Sequence, residues 1–325
     1  MVSSSRSRLA GPPTTDWEFP RAASGVRHLV RFAETHGVAA GAVLAGTGLE
    51  PADVGPGGVA EVTAAQELRA VRGLRRHLPD AGRAVGLTYS VASFGAMGFA
   101  VRTSRTVGDA VDVALRFFDL SFAFVIPDVV VSDGEVVAVL DASRLPADVR
   151  GFLLERDAAA VGRVLEDLVP GGVGLRSTPG PGPHGRTLRF GVEELDRPLP
   201  QGDARGRSLA EAVCDDVVGR RRARTGLTQD VRVLIPQRLP EGAPMGAVAD
   251  GLGLSERTLR RRLGEHATSY RALVEEVRSA LAADLLGRGL PVAEVAARLG
   301  YSETAALTHA HRRWTGRAPT AAHPD

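Results

Sequence analysis

Two stretches of this 325-residue chain carry one framework. VADGLGLSERTLRRRL (residues 248–263) and VAARLGYSETAALTHA (residues 295–310) share Val248/Val295, Ala249/Ala296, Leu252/Leu299, Gly253/Gly300, Ser255/Ser302 and Glu256/Glu303 at a constant offset of 47. Each copy predicts a short amphipathic helix stopped by a glycine that tolerates the left-handed conformation, then a serine placed to cap the next helix. Helix, glycine turn and capped helix are the parts of a helix-turn-helix. Written twice, they predict an all-helical C-terminal region with motifs at about 245–265 and 291–315.

The second helix of the first copy sorts its residues by face. Leu259 and Leu263 lie one turn apart and point inward, while Arg257, Arg260 and Arg261 share the outer side. Guanidinium forks on an exposed helix suit guanine edges and phosphates in a major groove. A solvated basic face is the bland alternative for an isolated RTLRRR, and the second copy tips the balance toward DNA. Between the copies, SYRALVEEVRSALAADLLGRG predicts a helix of about 18 residues, roughly 27 Å long at 1.5 Å per residue. That length is close to the roughly 34 Å between successive major-groove faces, so one chain can set two helices into neighbouring grooves.

Upstream the pattern differs. SGVRHLVRFAETHG, AAGAVLAGTGL and VTAAQELRAVRGLRRHLPDAG carry apolar residues at helical spacing, and TVGDAVDVALRFFDL adds a helix with Thr106 as its N-cap. The period then switches to two. FAFVIPDVVVSDGEVVAVLDAS predicts a hairpin over about 129–140, turning at Asp133-Gly134. LPADVRGFLLERDAAAVGRVLEDLVP follows as a long amphipathic helix whose Phe152, Leu153, Val161, Leu165 and Leu168 can form one buried side. TPGPGPHG (178–185) reads as a flexible break, TLRFG as a lone strand, and RSLAEAVCDDVVGRRRA as a helix leading to the linker GRRRAR (219–224). The expected division is a flexible tail over 1–24, an α+β domain over 25–224 and the helical domain over 225–325.

Composition narrows the function classes. With 44% hydrophobic and 24% charged residues the chain reads as a globular protein, and no apolar run approaches the roughly 18 residues of a membrane span. The N-terminal residues lack the apolar core of a signal peptide, which predicts a cytoplasmic protein. A single cysteine, Cys214, excludes a disulfide framework and a multi-cysteine metal site; it reads as a packed side chain. No metal-ligand spacing, nucleophile elbow or complete phosphate-binding glycine motif is present, so neither enzyme activity, a catalytic residue, a cofactor nor a metal is expected. Every one of the 40 basic residues is arginine. Basicity is local to the reading helix, since residues 228–325 hold 13 arginines against 11 carboxylates.

GLSERTLRRRL, YRALVEEVRSALAADLL and VAEVAARLGYSETAALTHAHRRWTGRAP resemble the tandem helix-turn-helix domain of AraC/XylS-family transcription regulators, the closing RRWTG-x-x-P being the most specific part. SFGAMGFAVRTSRTVGDAVDVALRFFDL, LPADVRGFLLERDAA and LDRPLPQGD resemble the arabinose-binding-type N-terminal domain of the subgroup that includes ornithine- and virulence-type regulators. Together the two resemblances span most of residues 25–320. They imply a sequence-specific DNA-binding transcription regulator whose first domain senses a small molecule or supports dimerisation. Carried over residue by residue, base reading falls on Arg257, Thr258, Arg260 and Arg261 in the first motif, beside Ser255, and on Thr304, Ala305, Thr308 and His309 in the second, beside Ser302. Arg312 and Arg313 are expected on phosphate.

The partners implied are double-stranded DNA, a small-molecule effector, RNA polymerase if the chain activates, and a second copy of the chain as a homodimer; no membrane is expected. Any effector pocket is expected between the 129–140 hairpin and the helices carrying Phe117, Phe118 and Phe152, where aromatic residues concentrate, with plain core packing as the alternative. One departure from the family bears on the second motif. THAH stands where SRAF is usual, which puts His311 on the core face of its helix. A degenerate member that serves as a protein-interaction module is the competing reading.

Overall fold

The computed structural model describes residues 7–8, 20–56, 58, 61–222, 226–266 and 268–319. It divides into two units, residues 1–55 with 64–223, and residues 56–63 with 224–325. Most of the tail expected over 1–24 lies outside the described residues, as do residues 223 and 224 at the end of GRRRAR. The tail's last residues are a correction. Pro20, Arg21 and Ala23 are buried, because Arg21 forms an ion pair with Glu67 that composition could not announce.

The first unit is α+β. Helices α1 (Ser24–Thr35) and α2 (Ala40–Leu44) follow the short strand β2 (Arg21–Ala22), and α3 (Ala64–His77) and α4 (Gly82–Leu87) complete the helical beginning. Then come α5 (Gly95–Arg102) and α6 (Val107–Arg116); Thr106 caps α6 by accepting from the Asp109 amide at 3.2 Å, as its sequence predicts. The expected hairpin is present as β4 (Pro127–Ser132) and β5 (Glu135–Asp141). Asp133 and Gly134 both take positive φ, 54° and 76°, the geometry of a two-residue turn that follows the sheet's twist.

Helix α7 (Arg150–Leu168) crosses behind the hairpin, and β6 (Arg176–Pro179), β7 (Gly185–Gly191) and α8 (Ala204–Arg222) follow. TLRFG is not a lone strand, since β7 pairs antiparallel with both β5 and β6, and TPGPGPHG is not a loose break but the end of β6 and the turn into β7. With β1 (Ser7–Arg8) on one edge, the antiparallel sheet runs β1-β4-β5-β7-β6. In α7, Phe152, Leu153, Leu165 and Leu168 are buried, while Val161 is 38% exposed.

Two glycines fix where α7 lies. A Cβ on Gly82 would stand 2.4 Å from the Phe152 carbonyl oxygen, and one on Gly86 2.2 Å from that of Arg156, so α4 meets α7 backbone to backbone. This contact seats Arg156 and Asp157 in the interior. Arg156 Nε donates to Asp157 at 2.8 Å and its Nη2 to the Phe122 carbonyl at 2.7 Å; Asp157 accepts the Phe124 and Val125 amides at 2.7 and 2.9 Å. Arg21 lies 3.8 Å over the Phe124 ring and donates to the Ala123 carbonyl at 2.8 Å. Arg21, Arg156 and Asp157 thus each face an opposite charge and backbone acceptors or donors, the condition under which charge is tolerated in an interior.

The second unit is helical apart from β3 (Glu61–Val62). It contains α9 (Leu227–Arg238), α10 (Met245–Gly251), α11 (Glu256–Glu265), α12 (Tyr270–Gly287), α13 (Val292–Arg298) and α14 (Thr304–Thr315). One apolar core, including Ile235, Leu239, Leu259, Leu263, Val295 and Leu307, serves both repeats. No helix among the described residues is long and apolar enough to cross a membrane.

Candidate nucleic-acid interface and apolar cavity

The repeat in the sequence becomes a repeat in space. Helices α10 and α11 are joined through Gly253 at φ 67°, and α13 and α14 through Gly300 at φ 72°. The duplication reaches further upstream than Val248 and Val295. Gly242 and Gly289 have φ of 84° and 79° at the same offset of 47, and Pro244 and Pro291 are the N-caps of α10 and α13.

In α11 the cap and faces follow the expected pattern. Ser255 accepts from the Thr258 amide at 3.2 Å and exchanges a hydroxyl hydrogen bond with Thr258 at 2.9 Å. Leu259 and Leu263 are fully buried, and Arg257, Arg260 and Arg261 are exposed. Arg261 is ion-paired with Glu265 one turn on, whereas Arg257 and Arg260 have no ion pair among the described residues. Two of the three forks therefore face solvent with all their donors uncommitted.

Helix α14 departs from its twin. Its N-cap is Glu303, without a side-chain hydrogen bond, and Ser302 stands one residue before it, so the capping expected of Ser302 is not observed. Starting one residue later moves the register inside the helix from 47 to 48. Leu307 thus occupies the place of Leu259, and His311 that of Leu263. By the same count Ala305 stands at the position of Arg257, Thr308 at that of Arg260 and His309 at that of Arg261.

Thr304, Ala305 and His309 are exposed, and Thr308 turns its hydroxyl back to the Thr304 carbonyl at 3.0 Å. His311 is half-buried, with Nδ1 donating to the Arg317 carbonyl at 2.9 Å. Of the two expected phosphate contacts, Arg312 is exposed without an ion pair among the described residues, and Arg313 pairs with Glu275 at 3.2 Å.

Helix α12 ties the two motifs together. From it, Tyr270 donates to the Ala243 carbonyl at 2.9 Å, Glu276 takes both branches of Arg232 at 3.0 and 2.9 Å, and Arg278 donates to the Leu299 carbonyl at 3.0 Å with its guanidinium 4.8 Å from the centre of the Tyr301 ring. Burial pushes the Tyr270 hydroxyl up to about 12, so it stays protonated and donating. At Gly300 the contact is closer still, since a Cβ there would stand 1.8 Å from the Leu239 carbonyl oxygen. The sequence expectations do not include these side chains; the available signal was Tyr270 and Arg278 set among the apolar residues of α12.

The first unit holds a cavity of about 200 Å³ between the sheet and helices α5, α6 and α7. Of the three aromatic residues expected there, Phe118 lines it. Phe117 and Phe152 do not, although both are buried. The aromatic residues that do line it with Phe118 are Tyr89, Phe94, Phe122 and Phe190. Cys214 is buried, and burial raises its thiol to about 11. No cluster of side chains suited to a metal ion occurs among the described residues.

Comparison with known proteins gives concordant matches. Residues 37–179 match the family described as the arabinose-binding domain of AraC transcription regulator, N-terminal, and residues 248–323 match a helix-turn-helix domain family. A helix-turn-helix-type transcriptional regulator of Mycobacterium tuberculosis is 36% identical over 343 residues, covering 95% of this chain and 97% of the relative. The ornithine utilization regulator of Pseudomonas aeruginosa is 28% identical over 264 residues, covering 74% and 78%. Among solved structures, the transcriptional regulator CdpR from Pseudomonas aeruginosa aligns over 91% of this chain and 96% of its own, at 24% identity and a TM-score of 0.45.

Proposed function

This chain belongs to the AraC/XylS family of helix-turn-helix transcription regulators with an arabinose-binding-type ligand domain, and on that basis we propose that its two motifs divide the work of DNA recognition. The first motif reads bases. Arg257 and Arg260, exposed and without ion pairs among the described residues, each offer two donors to guanine O6 and N7, and Arg261 joins them when it leaves Glu265. The second motif holds the duplex. With Ala305 and Thr308 standing where the first has Arg257 and Arg260, α14 offers a methyl contact and a hydroxyl that is already engaged, and Arg312 offers a cation to phosphate.

The observation that carries this reading is the single exposed arginine face, on α11, set beside a structurally equivalent α14 that lacks it. Small-molecule binding in the first unit is assigned to its apolar cavity, with Phe118 at the wall. A homodimer and RNA polymerase are the further partners this reading expects.

The experiment is selection of bound duplexes from a random-sequence pool by the full chain, followed by footprinting of the enriched sequence. A compact, guanine-containing core protected by the parent and blurred by Arg260→Ala supports base reading by α11. Enrichment of no sequence over the pool, with binding set by salt alone, is the result that favours the protein-interaction module instead.

A further inference from the structure

The cavity of the first unit is polar at very few points. Among the residues that line it only Tyr89, Ser121 and Asp157 carry a polar oxygen or nitrogen on the side chain. Two of the three are already engaged. Both Asp157 oxygens are occupied, by Arg156 on one and by the Phe124 and Val125 amides on the other, and Ser121 accepts from the Ala123 amide at 3.3 Å. The Tyr89 hydroxyl is buried and has no hydrogen-bond partner.

An unpartnered buried hydroxyl costs roughly 1–3 kcal/mol, so it is a donor that gains from a partner supplied inside the cavity. Its ring forms a cluster with Phe94 and Phe122, at centroid distances of 6.0 and 5.5 Å, which gives the same end of the cavity flat aromatic walls. The ionic groups behind it, Arg21 and Arg156 with Glu67 and Asp157, balance in charge and supply no field that would draw an ionised headgroup.

We infer that the effector of this regulator is a compact, uncharged, largely apolar molecule bearing one hydrogen-bond acceptor, held with its acceptor on Tyr89 and its apolar body against Phe94 and Phe122. This rests on the reading of the first unit as the ligand-sensing part. A sugar does not fit the same site. Each of its hydroxyls needs a partner on burial, and one unspent hydroxyl cannot serve them all. Size points the same way, since apolar protein cavities of about 150 Å³ accept benzene. The molecule therefore falls in the range of one substituted ring.

The test uses the full chain and four probes. Acetophenone supplies a ring and one acceptor, α-methylstyrene has the same shape without the acceptor, benzoate adds a charge, and L-arabinose is a sugar. Titration calorimetry is expected to show acetophenone binding about tenfold more tightly than α-methylstyrene, the ratio for one net hydrogen bond. In Tyr89→Phe that preference disappears while α-methylstyrene binds as before. Val164→Trp, which fills the cavity, abolishes binding of both rings, and circular dichroism checks that each variant is folded.

Tighter binding of L-arabinose or benzoate than of acetophenone overturns the inference, as does failure of both ring probes to bind, or a ketone preference that survives in Tyr89→Phe. The regulatory reading is judged separately, by footprinting the selected duplex with and without acetophenone. Ring binding that leaves DNA occupancy unchanged overturns the effector role and spares the chemistry of the cavity.

Discussion

Arg257 and Arg260 are the residues on which sequence specificity is expected to turn. Replacing either by alanine should weaken binding to the selected duplex by about 1–3 kcal/mol and relax the preference at one base pair. Arg261→Ala should cost less, because that fork shares its donors with Glu265. Arg312→Ala should weaken binding to selected and scrambled duplexes alike and reduce the salt slope by about one. Electrophoretic titrations at several salt concentrations separate the two patterns, and equal losses on both duplexes for Arg260→Ala would assign it to phosphate.

A second residue gives the first unit a pH dependence. Burial, with Arg156 and Arg31 nearby, lowers the pKa of His28 below its ordinary 6.5. Its ring is stacked on Tyr89 at 4.2 Å, and its Nε2 lies 2.6 Å from the Thr88 hydroxyl. That hydroxyl donates to the Val85 carbonyl at 2.6 Å, so Nε2 carries the proton and Thr88 accepts it. The unfolded chain binds a proton at higher pH than the folded one. Stability is then full above 6.5, declines as the pH falls below it, and the contribution is gone once the pH passes the lowered folded value. Thermal melts from pH 7.5 to 5.5 should show this slope in the parent and a flatter one in His28→Gln; parallel slopes would clear His28 of the effect.

At the level of elements, the two glycine turns look interchangeable in sequence and are not so in space. Gly253 has open space where a Cβ would go, so Gly253→Ala should lose only the roughly 1–2 kcal/mol of a left-handed alanine. Gly300→Ala adds overlap with the Leu239 carbonyl, which belongs to backbone and cannot swing aside. Its loss should exceed the ~3 kcal/mol at the upper end of ordinary substitutions. Denaturant unfolding of the two variants compares them directly, and equal losses would mean that α13 can shift off Leu239.

The same contrast shows what the sequence could and could not tell. Local signals such as Thr106 and Ser255 as caps, Asp133-Gly134 as a turn and Leu259 with Leu263 as an inward pair are visible because each acts within a few residues. The one-residue shift that brings His311 to the place of Leu263 is hidden in the repeat itself, where Ser302 and Glu303 hold offset 47 up to the helix start, and only the family resemblance placed His311 on the core face. Strand β6 was hidden because Arg176–Pro179 is exposed and has no alternation; only pairing with β7 makes it a strand. Tyr89 was passed over for Phe117 and Phe152 because aromatic content marks a core without saying which rings border a void.

For the whole molecule, the second unit is not a continuous piece of chain. It takes in residues 56–63 as well as 224–325; β3 belongs to it, and the Glu61 carbonyl accepts from the Gln237 side chain of α9 at 3.3 Å. A fragment of residues 224–325 should accordingly be less stable than the same unit in the full chain, with faster amide hydrogen exchange concentrated in α9. Equal protection would show that the early segment adds nothing. The feature also bears on how such a regulator can be recombined. Grafting this DNA-reading part behind a foreign sensor at a single junction near residue 224 transfers an incomplete part, and the foreign half brings its own version of the missing strand. A hybrid gene built to rewire the response needs two edits, one at each end of the borrowed text, and a lineage that exchanged sensors by one crossover would have inherited the mismatch.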